Sequence, residues 1–315
     1  MTRAFMFPGQ GSQYVGMGQD LAENFAEARE VFDEVDESLS QTLSKMMFEG
    51  DESDLNLTAN TQPALMAVSM AVVRILEKQG GIDLAAKCSF VAGHSLGEYS
   101  ALTAAGTFSV GEAAKLLKLR GEAMQRAVPV GQGSMAAILG LSFEEVDAIA
   151  QDASSENEAV EAANDNSVGQ VVVSGHTGAV AKAVELASEQ GAKRAVVLPV
   201  SAPFHSQLMA PAAAEMRDAL ANATLNAPVV PVVTNVTANA VSDANQIRDL
   251  LVDQITGMVR WRESVMWMAE NGVSEMVELG AGKVLCGLIR RIDREIATHN
   301  AGTPEDIEKL IEALS

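Results

Sequence analysis

The first candidate for chemistry is a serine in a glycine-flanked turn. Residues 93–97 read Gly-His-Ser-Leu-Gly, which is the G-x-S-x-G spacing with Ser95 at its centre. A predicted strand at residues 89–92 precedes the turn, and a predicted helix at residues 98–105 follows it. Such a turn exposes the hydroxyl at a helix N-terminus, where backbone N–H groups can stabilise an oxyanion. The pattern favours Ser95 as a nucleophile, with a merely structural turn as the alternative.

A serine nucleophile needs a base, and the chain contains four histidines. His94 adjoins the serine and is interpreted as a packing or hydrogen-bonding residue, His176 as a surface or cap residue, and His299 as part of a polar tail. His205 lies between a predicted strand at residues 192–200 and a helical run, so it is the best candidate base. A long stretch of chain follows it, and no acidic residue stands out as its orienter. This order weakens the hypothesis of a typical α/β-hydrolase.

Two glycine-rich stretches and one arginine complete the candidates. Residues 9–14 lack the third glycine of a dinucleotide fingerprint, and Val284 follows Gly282-Lys283 where a P-loop needs serine or threonine, so nucleotide binding is not expected. Both stretches are predicted to be tight turns, and the first follows a strand, where a second oxyanion N–H could lie. Arg120 belongs to a charged helical run that, by itself, indicates a solvated helix face.

Alternating strands and helices must position these residues. Outside residues 128–200, the patterns predict strands at 3–7, 89–92, 229–235 and 275–279 and helices at 20–37, 61–79, 98–105 and 113–126. Residues 128–200 have the order β-α-β-β-α-β, which is ferredoxin-like. We therefore predict an α/β protein in which a small domain is inserted into a larger one.

Composition limits the class of protein. The 315 residues are 48% hydrophobic and 20% charged, which is enough for one large domain with a smaller companion. The N-terminus lacks the apolar run of a signal peptide or membrane span, so a cytoplasmic protein is expected. A formal net charge of −20 argues against nucleic acid or an anionic membrane as partner. Cys88 and Cys286 are predicted to be core residues, and no cofactor or metal is expected.

A series of motifs occurs in one order along nearly the whole chain. It consists of FPGQGSQ at 7–13, GHSLGEYSAL at 93–102, Arg120, NDNSVGQVVVSG at 164–175, PFHS at 203–206 and ELGAGKVLCGLI at 278–289. With these motifs the chain resembles the malonyl-CoA:acyl-carrier-protein transacylase family of fatty acid synthesis. The resemblance implies an α/β-hydrolase-like catalytic domain of residues 1–127 and 201–315, into which a ferredoxin-like small domain of residues 128–200 is inserted.

The resemblance also implies roles that spacing cannot supply. Ser95 would attack the malonyl thioester while His205 accepts its proton, so that a malonyl-serine ester forms in a ping-pong reaction. The family orients this histidine through a backbone carbonyl, and Gln254 matches that position. The backbone N–H groups of Gln13 and Leu96 would form the oxyanion hole.

Substrate recognition follows from the same resemblance. Arg120 would bind the free malonyl carboxylate through a bidentate pair, and Asn166 matches a family asparagine near the pocket. The donor is expected to be malonyl-CoA. A serine thioesterase or esterase is the competing enzyme, and a catalytically silent interaction domain is a third hypothesis.

The implied acceptor is holo acyl carrier protein, an acidic partner that a chain of net charge −20 would repel without a local basic patch. Such a patch could be formed by Arg290, Arg291, Arg294, Lys193 and Arg194. A solvated helix face is the alternative for these residues. Whether the carrier protein serves fatty acid or polyketide synthesis is left open, and a monomer is expected.

Overall fold

The computed structural model describes residues 2–200 and 202–314. Its strands are β1 (Thr2–Phe7), β2 (Phe90–Gly93), β3 (Gly133–Leu139), β4 (Val160–Ser167), β5 (Gln170–His176), β6 (Arg194–Val197), β7 (Val232–Val233), β8 (Ala240–Val241), β9 (Val273–Leu279) and β10 (Ala297–Ala301). Its helices are α1 (Gln19–Asn24), α2 (Ala26–Leu39), α3 (Leu43–Glu49), α4 (Glu52–Leu55), α5 (Thr58–Lys78), α6 (Leu84–Lys87), α7 (Leu96–Ala104), α8 (Val110–Ala127), α9 (Phe143–Ala153), α10 (Thr177–Glu189), α11 (Ala210–Asn222), α12 (Ala244–Thr256), α13 (Trp261–Glu270), α14 (Val284–Ile292) and α15 (Pro304–Leu314). A short 3-10 turn covers Gln207–Met209. The mixed α/β class predicted from the sequence is confirmed.

The larger sheet is built from short strands, of which β1, β2, β7 and β9 are mostly buried and the edge strand β10 is partly exposed. Its order is β10-β9-β1-β2-β7-β8, and its neighbouring strands are parallel except for β7 and β8. Alternate residues of β1 enter different apolar cores, with Phe5 and Phe7 in one and Ala4 and Met6 in the other. Because β1 and β2 are parallel, their carboxyl ends meet at one edge of the sheet, where ligand sites of such folds form.

Residues 128–200 form a second sheet of different character. It is four-stranded and antiparallel, with the order β4-β5-β3-β6. Helices α9 and α10 share an apolar core with one face of this sheet. Met135 and Val172, on β3 and β5, belong instead to the core of the larger unit. The predicted order of elements in this segment is confirmed, although the last strand covers only Arg194–Val197 of the predicted residues 192–200.

The carboxyl end of strand β4 contacts the segment that leads into helix α13, through an isolated bridge between Asn164 and Val259. The backbone N–H of Asp165 donates to the carbonyl of Val259 at 3.0 Å. The Asp165 carboxylate, which is 0% exposed, pairs with Arg262 of α13 at 2.8 Å. A buried ion pair with a backbone bond beside it fixes this part of the strand, which carries Asn166 toward the larger sheet.

Several predicted boundaries are wrong for identifiable reasons. The helix predicted at 20–37 is divided into α1 and α2, because Phe25 has extended backbone angles. The helix predicted at 61–79 begins three residues earlier at Thr58, so Pro63 lies inside α5 rather than in its first turn. The strand predicted at 229–235 is reduced to β7. The supposed polar tail around His299 is strand β10, an edge strand that pairs through its backbone and has no apolar run to reveal it.

The two cysteines are buried and free, as predicted for core residues. Among the helices described for residues 2–200 and 202–314, none has the combination of length and apolar character needed to cross a bilayer. Within the same residues, no group of three or more histidine, cysteine, aspartate or glutamate side chains is placed to hold a metal ion.

Candidate active site

The turn between β2 and α7 holds Ser95 in a strained conformation. Ser95 has a φ of 54°, a left-handed value that non-glycine residues rarely adopt. The flanking glycines allow the turn to pack closely, since a Cβ on Gly93 would lie 1.9 Å from the backbone of Gly97, and one on Gly97 would lie 2.3 Å from the carbonyl of Phe7. The predicted strand, turn and helix are confirmed, and Ser95 stands at the N-terminus of α7.

His205 faces the serine across this turn. Its Nε2 lies 2.7 Å from Ser95 Oγ. Its Nδ1 lies 2.9 Å from the carbonyl of Gln254 and 3.1 Å from that of Gly257. Because carbonyls only accept, Nδ1 carries the proton and Nε2 is left free to accept the hydroxyl proton of Ser95. Burial and the positive charge of Arg120 lower the pKa of His205 to about 3, so its imidazole is neutral near pH 7.

Arg120 points inward from α8 and is only 2% exposed, so the solvated helix face indicated by its charged run is wrong at this residue. Its Nη2 donates to Ser95 Oγ at 3.1 Å and to Gln254 Oε1 at 2.8 Å, and its Nη1 donates to Gln62 Oε1 at 2.7 Å. Its Nε is buried without a hydrogen-bond partner. The Tyr99 ring lies 5.7 Å from the guanidinium. Every acceptor of this cation is therefore uncharged.

A cavity of about 170 Å³ opens above these side chains, between the two sheets. Its walls are formed by Gln10, Gln62, His94, Ser95, Leu96, Arg120, Met124, Met135, Asn164, Asn166, Val172, Leu198, Val200, Phe204 and His205. A second cavity shares Gln10, His94 and Asn166 with it and extends to α14, where Val284, Leu285 and Leu288 form its wall. Polar and apolar side chains therefore both line the cleft into which Ser95 opens.

The acyl transferase domain family model matches residues 4–301 of the chain. A malonyl CoA-acyl carrier protein transacylase of Bacillus subtilis (strain 168) is 45% identical over 311 residues, which are 99% of this chain and 96% of that protein. This chain belongs to the malonyl CoA-acyl carrier protein transacylase family.

Solved structures of the transacylase family have the same fold. The crystal structure of an acyl-carrier-protein-S-malonyltransferase from Bartonella henselae matches with a TM-score of 0.97 at 55% identity, covering 100% of this chain and 99% of that one. A malonyl-transacylase solved in complex with a type II PKS acyl-carrier protein matches with a TM-score of 0.95 at 40% identity, covering 99% of this chain and 100% of that one.

Asn166, the asparagine matched to the transacylase family, lies in the wall of both cavities. Its Oδ1 accepts a hydrogen bond from His94 Nε2 at 2.7 Å. His94 packs against Trp261 with ring centroids 5.8 Å apart, and burial lowers its pKa. His94 therefore has the packing and hydrogen-bonding contacts expected from its place beside the nucleophile, while the hydrogen bonds of Ser95 Oγ are to His205 and Arg120.

The resemblance to the transacylase family predicts two oxyanion donors, the backbone N–H groups of Leu96 and Gln13, of which Leu96 directly follows Ser95. Leu96 lines the first cavity, as does Gln10, and no described residue accepts from either N–H. Gln13 lines neither cavity. Its amide bonds outward to the Gly11 N–H at 2.7 Å and to Asn56 Oδ1 at 2.8 Å. Of the two glutamines in FPGQGSQ, the first lines both cavities and the second lines neither, so Gln10 is a candidate donor in addition to the predicted Gln13.

Three polar residues around the reacting pair were missed by sequence reasoning. Gln62 contacts Arg120, as described, and Glu98 and Asn235 lie behind Ser95. The Asn235 side chain accepts from the Ser95 N–H at 2.7 Å and donates to the Gly93 carbonyl at 2.7 Å. Asn235 follows the very short strand β7 and no motif marks it. Glu98 stands inside the GHSLGEYSAL motif, where a carboxylate on the buried side of a helix was an available signal.

Proposed function

We propose that this chain transfers the malonyl group from malonyl-CoA to the phosphopantetheine thiol of holo acyl carrier protein in fatty acid biosynthesis, through a malonyl ester of Ser95. The observation that carries the proposal is a buried guanidinium with only neutral acceptors, placed 3.1 Å from the nucleophile. A buried cation without a directly paired anion is costly, and a substrate carboxylate beside the reacting carbonyl would compensate it.

The first half-reaction follows from the contacts of Ser95. Its Oγ attacks the thioester carbonyl carbon while its proton passes to His205 Nε2, 2.7 Å away. The resulting oxyanion would accept from the N–H group of Leu96 and from a second backbone N–H, for which Gln10, which lines the cavity, is the candidate. Collapse of the tetrahedral intermediate breaks the carbon–sulfur bond, and the proton on His205 passes to the departing thiolate of CoA.

The second half-reaction reverses these steps with a different thiol. The carrier-protein thiol gives its proton to His205 Nε2 and its sulfur attacks the ester carbonyl. When the intermediate collapses, Ser95 Oγ leaves and recovers the proton. The imidazolium formed in each half is oriented by the neutral carbonyls of Gln254 and Gly257 rather than by a carboxylate. We expect this weaker support to disfavour attack by water.

A serine thioesterase or esterase is the second candidate, and acceptor dependence separates the two. Purified protein mixed with malonyl-CoA should carry one malonyl group on Ser95, detected by mass spectrometry, and should release free malonate slowly. Addition of holo acyl carrier protein should discharge the ester onto its thiol. Rapid release of malonate without acceptor would support the thioesterase, and failure to acylate Ser95 would support a silent interaction domain.

A basic surface on α14 supports the proposed docking of an acidic carrier protein. Arg290 and Arg291 are exposed, and Arg291 donates to Gln170, which lines the second cavity, at 2.7 Å. We expect Arg290→Glu combined with Arg291→Glu to lower kcat/KM for holo carrier protein about 10-fold at low salt, and to leave acylation by malonyl-CoA unchanged. Arg217→Glu is the control, because Arg217 is an exposed residue of α11. Unchanged transfer to carrier protein would exclude this surface.

Finer features of the architecture are also part of the proposal. The strand order β4-β5-β3-β6 supports a ferredoxin-like small domain of residues 128–200, inserted in an α/β-hydrolase-like domain of residues 1–127 and 201–315. Met1, Ser201 and Ser315 lie outside the described residues.

We also propose that the enzyme is monomeric and cytoplasmic and has no nucleic-acid or membrane partner. The net charge of −20 supports the absence of such partners. The relative in complex with a polyketide carrier protein makes such a carrier the alternative acceptor.

A further inference from the structure

Behind the reacting pair lies a buried carboxylate to which the mechanism above gives no role. Glu98 stands in the first turn of α7 and is 1% exposed. The ion pairs among the described residues do not include it. Its Oε2 instead accepts two neutral donors, the backbone N–H of Asn235 at 2.9 Å and Nε2 of Gln254 at 2.9 Å. A carboxylate buried without a direct cation destabilises the fold, so its contacts require a reason.

The first contact leads to Ser95. The backbone N–H of Asn235 donates to Glu98. The side-chain amide of Asn235 spans the strained turn at Ser95, because its Nδ2 donates to the Gly93 carbonyl and its Oδ1 accepts from the Ser95 N–H. These partners fix which end of the amide points in which direction. The carboxylate therefore anchors the group that holds Ser95 at its positive φ.

The second contact leads to His205. The Gln254 amide lies between two charges, because its Oε1 accepts from Arg120 at 2.8 Å while its Nε2 donates to Glu98. A flipped amide would place its oxygen against the carboxylate and its NH₂ against the guanidinium, so one orientation is strongly preferred. The backbone carbonyl of the same residue accepts from His205 Nδ1 at 2.9 Å.

We propose that Glu98 is a positioning residue for both members of the reacting pair, acting on Ser95 through Asn235 and on His205 through Gln254. This inference rests on the proposed acyl transfer and adds a residue to it. Removal of the carboxylate would leave the Asn235 N–H buried without its acceptor. Gln254 Nε2 would lose its charged acceptor and keep the Ser95 carbonyl, at 3.1 Å. Reacting groups displaced by about an ångström lose about 10²-fold in rate.

The charge of Glu98 gives the proposal a distinctive pH dependence. Burial raises the pKa of Glu98 to about 7, opposed by its two hydrogen bonds and by the charge of Arg120 on α8. Tyr99, the other titratable group beside it, is kept neutral because burial raises its pKa. As the pH falls through about 7, Glu98 takes up a proton and becomes a weaker acceptor for both donors. The rate of Ser95 acylation should therefore fall below this pH.

Two variants test the proposal between pH 5.5 and 8.5, through the rate of Ser95 modification by malonyl-CoA and by a serine-reactive sulfonyl fluoride. Glu98→Ala should lower the maximum rate about 10²-fold with both reagents and change the KM for malonyl-CoA less than about 2-fold. Glu98→Gln retains an acceptor oxygen and should lose about 3- to 10-fold at pH 8. At every pH the rate of Glu98→Gln should equal the rate that the wild type reaches below pH 7. The plot of rate against pH for this variant should therefore be flat.

Stability provides an independent readout. A raised carboxyl pKa means that the stability of the wild type declines as the pH rises through about 7, so Glu98→Gln should melt at or above the wild-type Tm at pH 8 while reacting more slowly. Glu275→Gln is the matched control, because Glu275 is a buried carboxylate that pairs with Arg3 at the amino ends of the strands. It should leave the rates and their pH profile unchanged.

Three results would overturn the proposal. These are wild-type rates in both Glu98 variants, a fall in rate near pH 7 that persists in Glu98→Gln, and a loss of rate in Glu98→Gln that is matched by a loss of Tm.

The sulfonyl fluoride separates this inference from the proposed function. If the wild type reacts with that reagent and not with malonyl-CoA, malonyl transfer is excluded, and the variants still report whether Glu98 positions Ser95.

Discussion

Replacement of Arg120 by alanine should lower malonyl transfer to holo acyl carrier protein by about 10²- to 10³-fold and lower acetyl transfer much less. The guanidinium is 2% exposed and has only neutral partners, so a malonyl carboxylate would be its compensating charge. An acetyl group has no carboxylate and gains nothing from this pairing. The measurement compares kcat/KM for malonyl-CoA and acetyl-CoA in the wild type and the variant.

The control for Arg120→Ala lies on the same helix. Arg126 is exposed and pairs with Glu215 at the surface, so Arg126→Ala should leave the ratio of malonyl to acetyl transfer unchanged. Arg120→Lys keeps the charge and loses the planar fork, and it should restore only part of the malonyl preference. An equal loss of malonyl and acetyl transfer in Arg120→Ala would contradict the carboxylate-binding role, because it would show that Arg120 serves Ser95 alone.

Replacement of His205 by alanine should slow acylation of Ser95 by malonyl-CoA about 10²- to 10⁴-fold, because the serine then loses the acceptor of its proton. Quenched-flow mass spectrometry of the acylated protein measures this step without the carrier protein. His299→Ala is the control, since His299 lies on edge strand β10 and is mostly exposed. Acylation of His205→Ala at the wild-type rate would require another base.

The pH dependence of His205 should reveal its coupling to Arg120. Burial and the Arg120 charge lower the pKa of His205 to about 3, so the imidazole should stay neutral from pH 5 to 8 in the unliganded protein. Removal of a positive neighbour favours the protonated form, so Arg120→Ala should raise this pKa, and a bound malonyl carboxylate should do the same. An NMR titration of the His205 ring measures both shifts. A pKa that does not rise in Arg120→Ala would exclude the coupling.

Prediction from the sequence was most successful where local pattern and local structure coincide. The strand, turn and helix around Ser95 and the β-α-β-β-α-β order of residues 128–200 are present in the structure because each depends on apolar periodicity and glycine placement within a short window. It failed where tertiary contacts override the pattern. Strand β10 has no apolar alternation, and Arg120 belongs to a charged run although its side chain is buried.

The sequence by itself determined the α/β class, the serine elbow and, through its ordered motifs, the transacylase family. The same reasoning named His205, Arg120 and Gln254 as site residues. Only the tertiary structure decided how these residues and the unmarked polar groups are arranged around Ser95. It placed His205 at 2.7 Å from the nucleophile, directed Gln10 rather than Gln13 into the cavity, and assembled Glu98, Asn235 and Gln254 behind the reacting pair. Hydrogen bonds between buried polar groups depend on direction and distance in space, which periodicity along the chain does not encode.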